Sequence, residues 1–140
     1  MQICARVANS HGEHHATVAT NGNDRSIAIP PRESGFGSSA NGGELLFLAL
    51  ATCYCNDIYR EAARHGIAVE RVEVEVEGEF GGEGEAARRI VYRARVAADA
   101  TEAEIVELMR HTDTVAEIQN TLRAATSVTL DRAEAIVAGR

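Results

Sequence analysis

Lysine is missing from this 140-residue chain: all fourteen cationic side chains are arginine, set against 21 Asp and Glu for a formal charge of −7. The missing lysine reads as a bias of composition. The missing positive balance removes the basic footprint that nucleic-acid binding needs. Long apolar runs are also absent, and no stretch approaches the roughly 20 residues that span a bilayer. The start, Met1-Gln2-Ile3-Cys4-Ala5-Arg6, has no signal-peptide core. These features lead us to expect a cytoplasmic protein with no nucleic-acid or membrane partner. Cysteines are few. Cys4, Cys53 and Cys55 make an odd set, which does not fit a secreted disulfide framework.

The length suits one domain, residues 1–140, large enough to bury a core without cross-links. Three short strands are expected first: Gln2–Ala8, Glu13–Thr20 and Arg25–Ile29. The turn Asn9–Gly12 separates the first two. Asn21-Gly22 separates the second and third, because this pair tolerates the positive φ that tight hairpins require. Pro30-Pro31 ends the third strand. A loop rich in Gly and Ser then leads to a helix over about Gly43–His65, with Asn41 as cap, Glu44 three residues on as in a capping box, and Gly66 as the stop.

After the helix, Val72-Glu73-Val74-Glu75-Val76-Glu77 alternates strictly, which predicts a half-buried strand. The return strand carries Ile90, Tyr92, Ala94 and Val96 on one face, with Arg89, Arg93 and Arg95 on the other. Glu–Arg pairs across these strands contribute about 0.2–1 kcal/mol each, so the charged ladder reads as a solvated face and not as a metal site. Thr101 and Glu104 form a second capping box. Helices are expected through Ile105, Leu108 and Met109 and over Val115–Ala124, then a last strand at Ser127–Leu130, and a short helix or frayed tail. The order of elements is an α+β pattern.

The helix over 43–65 carries the chemistry. It is apolar nearly all round before Cys53 and turns polar after it, with Asp57, Arg60, Glu61 and Arg64. Cys53 and Cys55 stand about 200° apart on a helix, so they neither bond to each other nor share a metal. Cys53 shares its face with Asp57 and Arg60. Arg60 would lower the thiol pKa and Asp57 would raise it, and the sequence leaves both open. Both thiols as small buried hydrophobes is the plainer alternative. His14 and His15 are neighbours on a strand and face opposite ways, so no metal or cofactor is expected.

The segment Gly43-Glu44-Leu45-Leu46-Phe47-Leu48-Ala49-Leu50-Ala51-Thr52-Cys53, reached through a Gly/Ser-rich loop, resembles the helix bearing the peroxidatic cysteine in the OsmC family, which includes the organic hydroperoxide resistance branch. The valine–glutamate strand and the Arg110-His111 turn before Thr114 fit as well. The resemblance implies antiparallel sheets wrapped around a long central helix, an intertwined homodimer, and sites built by both subunits. It implies thiol-dependent reduction of hydroperoxides at Cys53, with a thiol reductant. It also points to Glu44 and His111 as further catalytic candidates and to Arg25, Arg32, Phe36 and Asp57 on the substrate side.

The chain departs from the family at three places. Thr114 stands where the family has its resolving cysteine, and no cysteine follows Cys55. The first glycine-containing turn has no arginine, a gap that Arg25 or Arg32 would have to fill. Gly43 stands where the branch has its active-site glutamate, with Glu44 one residue, about 100°, further round. Glu44 has a plain reading as a cap, and His111 as a cation near a helix end. Three readings follow: a peroxidase using Cys53 with an external thiol, a small-molecule binding module that has lost turnover, and a structural dimer whose thiols are filler.

Overall fold

The structure, a computed structural model, describes residues 1–139. The elements run β1 (Ile3–Ser10), β2 (Glu13–Thr20), β3 (Asn23–Ile27), α1 (Gly42–Arg64), β4 (Ala68–Glu79), β5 (Arg88–Asp99), α2 (Glu102–Val115) and α3 (Glu117–Arg123). They form two compact units: residues 1–49 with 77–90, and residues 50–76 with 91 onward.

In the first unit, β1, β2 and β3 form an antiparallel sheet in that order. The first turn is tighter than expected. Asn9 and Ser10 still pair with His14 and Glu13, which leaves only His11-Gly12 to turn, with Gly12 at φ 74°. The second turn is as read from the sequence: Asn21 and Gly22 both have positive φ, 49° and 81°. The third strand begins two residues earlier than expected, at Asn23, because that turn is so short. Ile3, Val7, Ile27 and Phe36 remain exposed.

The helix α1 starts on its capping box. Asn41 Oδ1 accepts the Glu44 amide at 2.8 Å, and Glu44 Oε1 accepts the Asn41 amide at 2.9 Å. Two glycines and two rings interlock in this unit. A Cβ at Gly43 would lie 2.8 Å from the Phe80 ring, and a Cβ at Gly78 would lie 2.8 Å from the Phe47 ring. The rings themselves stack with centroids 5.9 Å apart. Glu79 pairs with both Arg88 and Arg89, since Arg89 takes φ 54° and slips the alternation at the strand's start.

The second unit holds the larger core. Tyr54, Ile58, Ala62 and Leu108 are buried together, with Val72, Val74, Tyr92, Ala94 and Val96 against them. The valines of β4 turn inward and Glu73 and Glu75 outward, where Glu73 meets Arg95 and Glu75 meets Arg93. At its end, α1 closes on Gly66 (φ 67°) with Ile67 N–H reaching the Ala62 carbonyl at 2.9 Å, the glycine stop expected. Thr101 and Glu104 make the full capping box of α2.

The last two elements differ from expectation. Ala116, extended at ψ 112° and fully buried, divides α2 from α3, so α3 begins at Glu117 and not at Val115. Ser127–Leu130 is not a strand, nor is 124–139 helical. Val128 and Leu130 are 97% and 83% exposed. A strand needs a neighbour for its backbone groups, and none of the described strands pairs with this segment. No described helix is long and apolar enough to cross a membrane.

Candidate functional site

Tertiary contacts in the second unit bring α3 to the middle of α1. Gln119, itself buried, donates Nε2 to the Leu50 carbonyl at 3.0 Å. Tyr54 Oη donates to the Met109 carbonyl at 2.8 Å, and the Tyr92 hydroxyl bonds Asp113, which Arg123 also holds at 2.7 Å. These ties fix the α2–α3 corner, and Glu117 at its tip reaches Cys53.

Cys53 Sγ lies 3.5 Å from Asp57 Oδ2 and 3.7 Å from Glu117 Oε2. The other oxygens of the same two carboxyl groups face Arg60, whose Nη1 is 3.0 Å from Asp57 Oδ1 and 2.7 Å from Glu117 Oε1. A carboxyl pair is thus held between a thiol and a guanidinium. The thiol is pushed above its ordinary pKa, first by burial and then by the two acids, against a lowering by the Ile118 backbone. The question the sequence left open is settled against Arg60, because the guanidinium is spent on the carboxylates. Burial and its acidic neighbour lift Asp57 to about 6, whereas the hydrogen bond from Asp57 and the charge of Arg60 hold Glu117 down to about 2. Two like charges this close raise the proton affinity of the pair, and Asp57, the more buried partner, is the one raised.

A second hub adjoins the first. The Glu61 side chain is 2% exposed and takes Arg60 Nε at 3.1 Å, Arg64 Nη1 at 2.9 Å and His111 Nε2 at 2.8 Å. Its carboxyl is held below the usual range, above all by the His111 hydrogen bond. His65 Nδ1 sits 2.8 Å from the Glu61 carbonyl, and its ring meets that of His111 edge-on at 5.7 Å. The two histidines line a cleft of about 440 Å³ with Ile67, Glu104, Glu107 and Leu108.

Of the residues singled out from sequence, the structure brings Cys53 and Asp57 into contact. His111 bonds Glu61 and not the thiol. Glu44 is engaged as the cap of α1. Arg25, Arg32 and Phe36 belong to the first unit: Arg25 is on β3, Arg32 packs against Gly37, and Phe36 meets His11 edge-on at 5.2 Å. Gly43, where the resemblance would put a glutamate, has its Cβ direction filled by Phe80. Thr114 is exposed and donates its hydroxyl to the His111 carbonyl at 2.6 Å. Cys55 is neither core filler nor part of the site: it is partly exposed and lines a shallow cleft with Ala51, Thr52, Asn56 and Val74. Sequence reasoning missed Glu117 and Glu61. Glu61 shared the polar end of α1 with Arg60 and Arg64, which is a usable signal, but nothing local tied Glu117 to a cysteine 64 residues away.

Sγ of Cys53, one Asp57 oxygen and one Glu117 oxygen lie within 4.8 Å of one another, the donor set among the described residues nearest to a metal site. Arg60 already supplies the positive charge there.

The sequence profile of the OsmC-like proteins matches residues 35–131. No curated protein matches the chain by sequence. Solved structures share its fold at low identity. The OsmC-like protein of Mycoplasma pneumoniae is 19% identical with TM-score 0.58, over 86% of this chain and 87% of its own. An OsmC-like protein of unknown function from Vibrio cholerae is 15% identical with TM-score 0.59, over 86% and 93%. An organic hydroperoxide resistance protein from Legionella pneumophila is 20% identical with TM-score 0.51, over 88% and 90%. The likeness extends to the mixed α+β build with antiparallel sheets, and the profile spans most of the chain: the protein belongs to the OsmC-like family.

Proposed function

We propose that this protein reduces organic hydroperoxides at Cys53, with an external thiol as reductant, in defence against oxidative stress. The observation that carries the reading is the surrounding of Cys53: a partly exposed thiol with two carboxyl groups within 3.7 Å and a guanidinium behind them. Peroxide reduction needs a sulfur nucleophile that solvent can reach and a group to move protons. The Legionella relative's name for hydroperoxide resistance supports the same reading. The cytoplasm suits it, since thiols are kept reduced there.

A second reading has its own support. The raised thiol pKa and the filled space beside Gly43 favour a binding module of the same fold that takes a small molecule without turning it over. One comparison separates the two. With an organic hydroperoxide and added thiol, the wild-type protein should consume peroxide and Cys53→Ser should fall to the uncatalysed background. Equal background rates for both would hand the function to the binding module.

We further propose that the active form is a homodimer. Leu48 on α1 is 60% exposed, and the segment after α3 exposes Val128, Leu130 and Ile136, apolar side chains that a second copy would cover. Light scattering at micromolar concentration should give twice the chain mass. A single chain mass would remove the proposal.

A further inference from the structure

The geometry points to Asp57 as the proton carrier of the Cys53 reaction, taking the thiol proton before attack and delivering it to the departing alkoxide, with Glu117 and Arg60 setting its charge state. This inference rests on the peroxidase reading and names the acid–base residue that the reading lacks.

The step balances as follows. Cys53 Sγ–H gives its proton to Asp57 Oδ2. The thiolate attacks the terminal oxygen of ROOH, so that the S–O bond forms as the O–O bond breaks. Sulfur loses two electrons and becomes a sulfenic acid, and the peroxide is reduced. The alkoxide takes the proton from Asp57 and leaves as ROH, returning the carboxyl to its starting state. The reaction consumes one thiol and one hydroperoxide and yields one sulfenic acid and one alcohol.

Three observations support Asp57 in this role. Its Oδ2 contacts Sγ while its Oδ1 is anchored on Arg60 at 3.0 Å, so the carboxyl is oriented with one oxygen on the sulfur. It is buried, 6% exposed, which keeps its proton from bulk water. Among the described residues, the charged and titratable groups against it are Cys53 and Arg60 on its own helix and Glu117 from α3, with His111 of α2 linked to the cluster through Glu61 and Arg60. Burial and Glu117 lift it to about 6, within the range where one group both accepts and donates near neutral pH. The thiol itself is held protonated, so attack at neutral pH requires a base, and this pair is in contact with it.

The rival explanation is that the carboxyl pair only repels the thiolate. The two ideas predict opposite signs. As proton carrier, Asp57→Asn slows sulfenic acid formation at Cys53 about 100-fold, read by trapping with a dimedone-type reagent and peptide mass. The same variant alkylates with iodoacetamide at Cys53 at least as fast as wild type, because loss of a negative neighbour favours the thiolate and iodide needs no proton to leave. In the wild type the peroxide rate rises with pH through about 6. That limb is absent from Asp57→Asn, whose rate follows thiol ionisation alone. A peroxide rate in Asp57→Asn equal to or above wild type overturns the inference and leaves the peroxidase reading intact. Absence of any Cys53 oxidation in the wild type overturns both. Should Asp57→Asn not fold, Glu117→Gln at an exposed position supplies the test: without its acidic neighbour Asp57 titrates lower, and the pH limb moves below its wild-type position. An unmoved limb overturns the inference.

Discussion

Excess organic hydroperoxide should drive Cys53 past sulfenic acid to sulfinic acid and end turnover irreversibly. A sulfenic acid survives further oxidation when a second thiol condenses with it. Cys55 points to the other side of α1 and lines a different cleft. Position 114 is a threonine whose hydroxyl is turned to the His111 carbonyl. Under the proposed reading, protection comes from a thiol in solution. Peptide mass should show a gain of about 32 Da on Cys53 after excess peroxide alone, and a mixed disulfide when a small thiol is present from the start. Full recovery of activity by dithiothreitol after the excess pulse would contradict this, and would mean that a resolving thiol does reach Cys53.

The second large effect is on stability. Ile58→Ala should cost about 2–5 kcal/mol. Ile58 is fully buried at the centre of the core, between Tyr54 and Ala62 on α1 and Leu108 on α2. Of its neighbours, Tyr54 is fixed at its far end by the Met109 carbonyl, which limits how far it can move into the cavity. For a chain of this size the loss amounts to a fall in Tm of roughly 5–15 °C. Thermal unfolding of the variant beside the wild type measures it. A fall worth less than about 1 kcal/mol would show that the site collapses or that the core is looser than its burial implies.

Much of the architecture was legible because it depends on near neighbours in sequence. Asn41 with Glu44, Thr101 with Glu104 and Asn21 with Gly22 each act over one turn of chain, and each behaves as its residue types dictate. The alternation in β4 needs only the two-residue period. The opposed directions of Cys53 and Cys55 follow from helix pitch. At the site the same rule applies: Asp57, one turn after Cys53, was readable as its neighbour. Glu117 was not, because α3 reaches Cys53 through Gln119, Tyr54 and the break at Ala116. His111, a catalytic candidate through the resemblance, bonds Glu61, a buried acid whose other two partners, Arg60 and Arg64, lie on its own helix. The expected strand at Ser127–Leu130 had suitable residues but finds no partner edge among the described strands.

The interlocked rings and glycines have a consequence for how this sequence can change. A carboxylate at position 43 disturbs more than its own position. Its first side-chain carbon already falls 2.8 Å from Phe80, and Phe80 is in turn stacked on Phe47, which occupies the space above Gly78. A side chain at 43 requires the Phe80 ring to move off its place or position 80 to shrink, and either change uncovers Phe47. Positions 43, 47, 78 and 80 are therefore coupled in what they can hold, and a glutamate at 43 is best accommodated beside a small residue at 80.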